Sequence, residues 1–348
     1  MEQLEDILAK CQVLSTNDIQ VLIGELQKRQ QAHSEDQLIR TRKEIIQSKG
    51  YQCPNCRSKS YGVHDRTKKY LRLICKSCGK KYSEHTGTAI SGLHKPVLWP
   101  RFIEFTLEGK SLRHISKELN ISLQTAFDWR HKFLSSLQTE QDSKKLSGIV
   151  EVDDKEFDIS EKGSRKLQRK PYKRPTDREN RLDKDDKLTV MVTVERKSRK
   201  SSMKLVKKGR LDKLTLDKEL LDKVNKKKTT LCTDAHPTYY GWSGDHDIPH
   251  YWIIASKGEH TYKGIYHVQN INSHNSRFET WFRRFNGVAS KYLNNYLGYF
   301  ELMENIKKHQ DKFQRTLFEI LRSSNTLKLY RSIDKDYKQF ISTPNIGT

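Results

Sequence analysis

Long apolar runs are missing from this sequence, and so is a charged-then-apolar leader. No apolar stretch approaches the roughly 20 residues that a membrane-spanning helix needs, and the opening MEQLEDILAKCQ does not read as a signal peptide. Cysteine is scarce: there are six in 348 residues, four of them in two CxxC pairs. That usage argues against a disulfide scaffold and for metal binding in a reducing compartment. The chain is also short of acid, with 43 Asp and Glu against 66 Lys and Arg, a net charge of +23. An imbalance of this size points to a polyanionic partner, most simply DNA or RNA, and without a spanning run or leader no membrane partner is expected. A soluble, cytoplasmic protein is expected, and its length calls for two or three domains, one of them of catalytic size.

Residues 1–48 read as an N-terminal helical segment without assignable chemistry: one short helix around Leu4, Ile7 and Leu8, a second from Ser15 to Arg29 capped by Thr16 or Asn17, and a third from Asp36 to Ser48 that stops at Gly50. Residues 49–95 hold CPNC (Cys53, Cys56) and CKSC (Cys75, Cys78). Each knuckle can bring two thiolates to one tetrahedral ion, and the alternation through Tyr70–Ile74 suits a strand, so a zinc ribbon with a structural Zn²⁺ is expected. His64 and His85 are candidate competing ligands that read rather as surface residues, while Cys11 and Cys232 are left over as small apolar side chains.

Residues 96–140 have the outline of a helix-turn-helix. Leu112, Ile115 and Leu119 give the core face of its first helix, Asn120 the turn, and Ser122 the cap of the second. That second helix would send Gln124 and Thr125 toward base edges, and Arg130, His131 and Lys132 toward phosphates. Helix pairs of this shape also occur in proteins that never touch DNA.

From 146 to 305 the pattern becomes strand-rich. GIVEVDDKEFDI, residues 148–159, reads as a strand whose Asp153 and Asp154 point to opposite faces, so only one can enter a shared site. A basic loop follows at 160–187; its cations Arg165, Lys166, Arg169, Lys170, Lys173 and Arg174 either clamp a DNA backbone or merely solubilise an insertion. Strands at 188–196 and 201–206, a helix at 214–224 and a strand ending at Asp234 come next; Asp234 is either a functional carboxylate or a helix cap. The stretch from His267 to Phe300 is helical, with Phe278, Trp281, Phe282 and Phe285 on one face and Asn272, Arg277, Glu279 and Arg283 off it. A helical tail, 306–348, closes the chain and frays at Thr343–Thr348. The expected architecture is thus a multidomain α+β or α/β chain: helices, zinc ribbon, helix-turn-helix, an RNase H-like core and C-terminal helices. In such a core Asp153, Asp234 and the later helix converge, and carboxylates there would hold two Mg²⁺ or Mn²⁺ ions roughly 4 Å apart for phosphoryl transfer, with Asp153 bridging them.

The CPNC and CKSC ribbon, WRHKF, VEVDD, TDAHPTYYGW, HVQNINSHNSR and FNGVASKYLNNYL together resemble bacterial insertion-sequence transposases of the fifteen-ninety-five family, over roughly residues 50–305. The resemblance implies a DDE-type DNA transposase that binds terminal inverted repeats, cuts and joins element ends in double-stranded DNA, and works at the bacterial nucleoid as a homodimer or higher oligomer. Asp153 and Asp234 match the two aspartates, and Asn272 matches the third position, which in the family is Asn or Glu. Seven residues on, the family carries Lys where this chain has Glu279, on the same helix face about 10 Å further along. SHN at Ser273–Asn275 also departs from the expected Tyr-His pair. Two expectations follow for Glu279: it is the third negative ligand in an active site, or it marks a chain co-opted for DNA binding alone.

Overall fold

A strand two-faced in its burial organises the larger part of the molecule. LTVMVTVE, Leu188–Glu195, is buried at every position, so both of its faces must be covered. The computed structural model describes residues 2–66, 71–138, 146–167, 187–254, 257–258 and 260–342. It divides into two compact units, Met1–Phe133 with Asp311–Leu327, and Leu134–Gln310 with Lys328–Thr348. Helix and sheet are mixed in the chain, as expected.

The first unit begins with helices α1 (Glu2–Gln12) and α2 (Thr16–Lys49). The two helices expected between Ser15 and Ser48 are one, because RQQAHSED between them contains no Gly or Pro to break the ladder. Its cap is Ser15, whose hydroxyl accepts the Asp18 N–H at 3.2 Å, and it stops at Gly50 as the pattern requires. The second half of α2 buries Leu38, Ile45 and Ile46, while Ile19, Val21, Ile23 and Leu26 in the first half are exposed. Strands β1 (Tyr61–Arg66), β2 (Leu71–Cys75) and β3 (Lys81–Ser83) form an antiparallel three-stranded sheet. Helices α3 (Trp99–Leu107), α4 (Leu112–Glu118) and α5 (Leu123–Ser136) follow, α5 running past the end of the unit. Gly87 is confined: its φ is +82°, and a Cβ there would lie 1.9 Å from the Ser324 carbonyl oxygen.

The second unit is a five-stranded sheet in the order β6-β5-β4-β7-β8, with β4 (Leu146–Phe157), β5 (Leu188–Glu195), β6 (Ser201–Lys208), β7 (Val224–Asp234) and β8 (His250–Ile253). β4, β5 and β6 pair antiparallel; β4, β7 and β8 pair parallel. Two apolar layers result. Val150, Val152, Met191 and Leu231 meet Tyr239 and Trp242 of α7 (Pro237–Asp245) on one side. Val190, Val192 and Val194 meet Ile271 and Phe278 of α8 (Gln269–Arg283), with Leu297 and Phe300 of α9 (Leu293–Ile306), on the other. Here α6 (Lys213–Leu216) is followed by a single π turn that ends at Leu221, short of the helix expected to 224, because Val224 already belongs to β7. β8 has only four residues, too few for its alternation to stand out in sequence. No helix among the described residues is long and apolar enough to cross a membrane.

Candidate catalytic face and metal centre

Strand alternation sends Glu151, Asp153 and Lys155 of β4 to the side covered by α8, and each meets that helix about one turn further along. Glu151 is fully buried. Its Oε1 accepts from Arg196 Nε (3.1 Å), Arg196 Nη2 (2.9 Å) and Asn270 Nδ2 (2.6 Å), and its Oε2 accepts the Ile271 N–H at 2.9 Å. This carboxylate therefore pins the first turn of α8 to the central strand. Arg196 completes the clamp by donating to the carbonyls of Ile265 and His267. One rung on, Asn275 Nδ2 donates to Asp153 Oδ2 at 2.8 Å, and the Asn275 Oδ1 is buried without a partner among the described residues. On the last rung Lys155 Nζ donates to Glu279. Arg283 Nη2 stands 3.9 Å from the other Glu279 oxygen. The hydrogen bond from Lys155, then its charge, holds the Glu279 carboxyl below its ordinary range.

β7 brings the second aspartate. Val150 pairs with Leu231 and Glu151 with Cys232; the same parallel register carried forward sets Asp153 beside Asp234, on one face and on strands about 4.8 Å apart. Burial first, then the charges of Asp154 and Asp234, push the Asp153 carboxyl up to about 6. Asp234 is exposed, and its Oδ1 accepts the His236 N–H at 3.3 Å. Asp154 faces the opposite layer, where Tyr239 donates to it at 3.3 Å, so the two adjacent aspartates do separate as the alternation required. Asn272 is exposed on the same flank of α8 as Asn275, one turn nearer the helix start, with no side-chain hydrogen bond among the described residues. Glu279 faces Lys155 rather than Asp153.

The other expected DNA contacts divide. Gln124 is exposed and donates to Asp128 Oδ1 at 3.0 Å; Thr125 and Lys132 line an open cavity of about 360 Å³ with Lys95 and Ser122. Arg130 and His131 do not point outward: they are 3% and 1% exposed, Arg130 donating to the Lys110 carbonyl and His131 lying 4.4 Å from the Phe127 ring. On a two-sided helix the reading of Arg and His as surface residues fails where a backbone carbonyl and an aromatic ring await them. Arg277 donates to Glu304 and Ser273, whereas Arg283 is open to solvent. Arg165 and Lys166 are exposed, and Arg169, Lys170, Lys173 and Arg174 lie outside the described residues. Sequence reasoning missed Glu151, Lys155 and Asn275. Alternation two residues either side of Asp153 was the signal available for the first two.

In the first unit the four cysteine sulfurs all lie within 4.8 Å of one another. Cys53 and Cys78 are 3.6 Å apart, as are Cys56 and Cys75, close to the roughly 3.8 Å between ligands of a tetrahedral ion with 2.3 Å bonds. Each knuckle closes by a backbone hydrogen bond, Arg57 N–H to Cys53 and Gly79 N–H to Cys75, with Arg57 and Gly79 in the left-handed region. Burial opposes ionisation of Cys75, but the N–H groups of Cys78 and Ser77 overcome it and draw the thiol down to about 6. Neither His64 nor His85 joins the group; burial holds His85 down to about 4. The cluster can hold a metal ion.

Comparison with known proteins adds the decisive observation. Residues 145–305 match the family model described as ISXO2-like transposase domain. Over these residues the chain is similar to ISXO2-like transposase domains. The match begins one residue before β4 and ends within α9, so the matched stretch comprises the whole five-stranded sheet and the helix over its acidic face. The chain is also 24% identical over 267 residues to an uncharacterized protein in transposable element ISH50 of Halobacterium salinarum, an alignment covering 76% of this chain and 88% of that relative. The resemblance drawn from the sequence motifs therefore holds.

Proposed function

We propose that this transposase cuts and joins the ends of an insertion sequence by phosphoryl transfer on double-stranded DNA, with Asp153, Asp234 and an amide of α8 holding the catalytic divalent cations. The observation that carries this reading is the placement of Asp153 next to Asp234 on one sheet face beneath α8, inside the transposase domain. Two features there fit a cation. The Asp153 carboxyl is pushed up by burial and by like charges that a cation would relieve, and the Asn275 Oδ1 is a buried oxygen without a partner among the described residues. Mg²⁺ or Mn²⁺ bound there would supply an activated water or 3′-hydroxyl and charge neutralisation at the leaving oxygen. Asn275, which donates to Asp153, and Asn272, exposed one turn nearer the helix start, are the candidate amides. The sheet order, with the Asp153 strand central and the Asp234 strand beside it, supports an RNase H-like core.

The remaining chain serves DNA recognition. The four cysteines would hold one structural Zn²⁺ in a ribbon at 49–95, and α4 and α5 would form a helix-turn-helix at 96–140, supported by the left-handed turn residue Asn120 and the Ser122 hydroxyl that accepts the Thr125 N–H at 3.0 Å. Gln124, Thr125 and Lys132 remain as its contacts with the inverted repeats, and Arg283 and the basic loop 160–187 as contacts with the backbone. The working form would be a homodimer or higher oligomer on DNA, acting at a bacterial nucleoid. The competing function, a transposase-derived protein that only binds DNA, drew on the charge of Glu279; its pairing with Lys155 weakens that objection, because the negative charge is answered within the protein.

Incubation with inverted-repeat DNA and Mg²⁺ or Mn²⁺ should produce nicks at the element ends, and Asp153→Ala should abolish them with end binding retained. Tight end binding without cleavage by wild type would establish the binding-only function instead.

A further inference from the structure

The face that carries Asp153 and Asp234 does not end at β7. On β8, Tyr251 pairs in register with Cys232 and therefore lies on the same side of the sheet as Asp234. Two tyrosines from the segment leading to α8 stack on it: Tyr266 with its ring centroid 3.8 Å away and planes 20° apart, and Tyr262 at 5.3 Å and 27°. A small core would bury its rings, but Tyr262 is 46% exposed and the neighbouring Ile265 54%. The Lys263 ammonium stands over the Tyr262 ring, 5.4 Å from its centroid, and over the Tyr251 ring at 5.7 Å, holding a cation against a half-exposed aromatic cluster. The segment is braced rather than loose. Tyr262 and Tyr266 exchange both backbone hydrogen bonds, at 2.7 and 2.9 Å, and Arg196, itself held by Glu151, donates to the carbonyls of Ile265 and His267.

We propose that Tyr251, Tyr262 and Tyr266 are a stacking platform for one unpaired nucleobase of the DNA end next to the cleaved phosphate, with Lys263 on the flanking phosphate. The proposal rests on the transposase reading of the Asp153 face. An in-line displacement above Asp153 and Asp234 needs the backbone drawn into the sheet edge, which a fully stacked duplex resists; removing one base from the stack frees it, and an aromatic face accepts any base that arrives. A half-exposed stack of rings carrying a flexible cation, which can swing onto a phosphate as a base takes its place, suits a base and its phosphate better than it suits an apolar protein surface.

Full-length wild type, Tyr262→Ala and Tyr262→Phe are compared on two inverted-repeat duplexes, one fully paired and one mismatched at the base pair beside the cut. Tyr262→Ala should cut the paired end about tenfold more slowly or worse, Tyr262→Phe should match wild type, and the mismatch should return Tyr262→Ala to near wild-type rate. A tyrosine with a merely structural role would not be rescued by a change in the DNA. Unimpaired cutting of the paired end by Tyr262→Ala, or a loss that the mismatch leaves in place, overturns the platform. A second arm needs no catalysis: in Ca²⁺, a duplex with a single-stranded overhang carrying 2-aminopurine should be quenched by wild type and Tyr262→Phe, and about tenfold more weakly bound by Tyr262→Ala. Equal quenching and affinity in Tyr262→Ala overturns the platform even if ends are cut. Quenching that depends on Tyr262, with no end cleavage by wild type, supports the platform and overturns the transposase reading alone.

Discussion

Exchanging Glu151 for glutamine preserves side-chain volume and removes the charge that pins α8 to the sheet. The wild-type carboxylate receives four hydrogen bonds, three at Oε1 and one at Oε2. Glutamine offers one oxygen. If it faces Arg196 and Asn270, its amide NH₂ meets the Ile271 N–H donor to donor; if it turns, the NH₂ meets the guanidinium. A hydrogen bond involving a charged group contributes about 1.5–3 kcal/mol, so losing one and weakening the rest should cost about 2–3 kcal/mol. The cost stays below the roughly 3–5 kcal/mol of an orphaned buried charge, because Arg196 keeps two carbonyls and its side chain is 20% exposed. At about 1.4 kcal/mol per tenfold, the first turn of α8 should open roughly 30- to 150-fold more often. Hydrogen exchange at Ile271, followed by mass spectrometry at fixed pH, reads that opening directly. End cleavage should fall with it, since a displacement of about 1 Å at a reacting centre can cost about 100-fold. Ile271 exchange within about threefold of wild type would refute the clamp.

The other predictions concern separate features. Gly87→Ala must push a Cβ against the Ser324 carbonyl in a left-handed conformation, so thermal unfolding should show about 3 kcal/mol of destabilisation, against about 1 kcal/mol for Gly92→Ala, which is left-handed with nothing within 4 Å; equal losses would remove the steric argument. The Asp153 carboxyl sits at about 6 against an ordinary 3.8, so the folded state holds its proton more tightly than the unfolded state does. Its contribution is whole below 3.8 and lost as pH rises through 6: between pH 4 and pH 7 metal-free wild type should lose up to about 3 kcal/mol more than Asp153→Asn, Mg²⁺ should restore stability at pH 7, and parallel pH profiles would contradict this. For Lys155 and Glu279, whose side chains are 21% and 44% exposed, a double-mutant cycle through Lys155→Glu, Glu279→Lys and the swap should give a salt-sensitive coupling of about 0.5–1 kcal/mol, and no coupling would dissolve the pair. Metal analysis should find one zinc per chain, with Co²⁺ exchange giving a tetrahedral spectrum; a metal-free protein with the ribbon folded would remove the zinc assignment.

The readable parts of the sequence were those governed by short-range periodicity. Alternation placed β4 and separated Asp153 from Asp154; helical spacing placed Phe278 in the core of α8, and the CxxC pairs located the cysteine cluster. What escaped depended on partners distant in sequence. Glu151 looks like a surface acid until Arg196 and Asn270 arrive from 45 and 119 residues away. Arg130 and His131 read as cations for DNA, but whether a basic residue on a two-sided helix faces outward depends on what packs behind it. The stretch RQQAHSED interrupts the apolar spacing that marks the two helices expected in α2, but without a Gly or Pro the helix runs through it.

The rungs between β4 and α8 bear on why Asn275 rather than Asn272 meets Asp153. Glu151 fixes one end of the helix with two hydrogen bonds, from Asn270 and the Ile271 N–H, while Arg196 holds the carboxylate itself, and Lys155 ties the other end to Glu279, so the height of α8 over the strand is set without help from the middle. Strand residues two apart advance about 6.7 Å, and helix residues four apart about 6 Å, so Glu151 against Ile271 commits Asp153 to Asn275 and Lys155 to Glu279. The middle rung is the least satisfied of the three: the Asp153 carboxyl, which accepts only from Asn275 and from the Asp154 N–H among the described residues, is pushed up by burial and its neighbours, and the amide oxygen has no partner among them. Rigid rungs on either side of Asp153 and Asn275 are what would hold the proposed cation site in a fixed geometry. Glu279 belongs to the holding part of that arrangement. It stands where the resemblance implies lysine, and its partner Lys155 places a cation close enough to Asp153 to oppose the upward shift of that carboxyl.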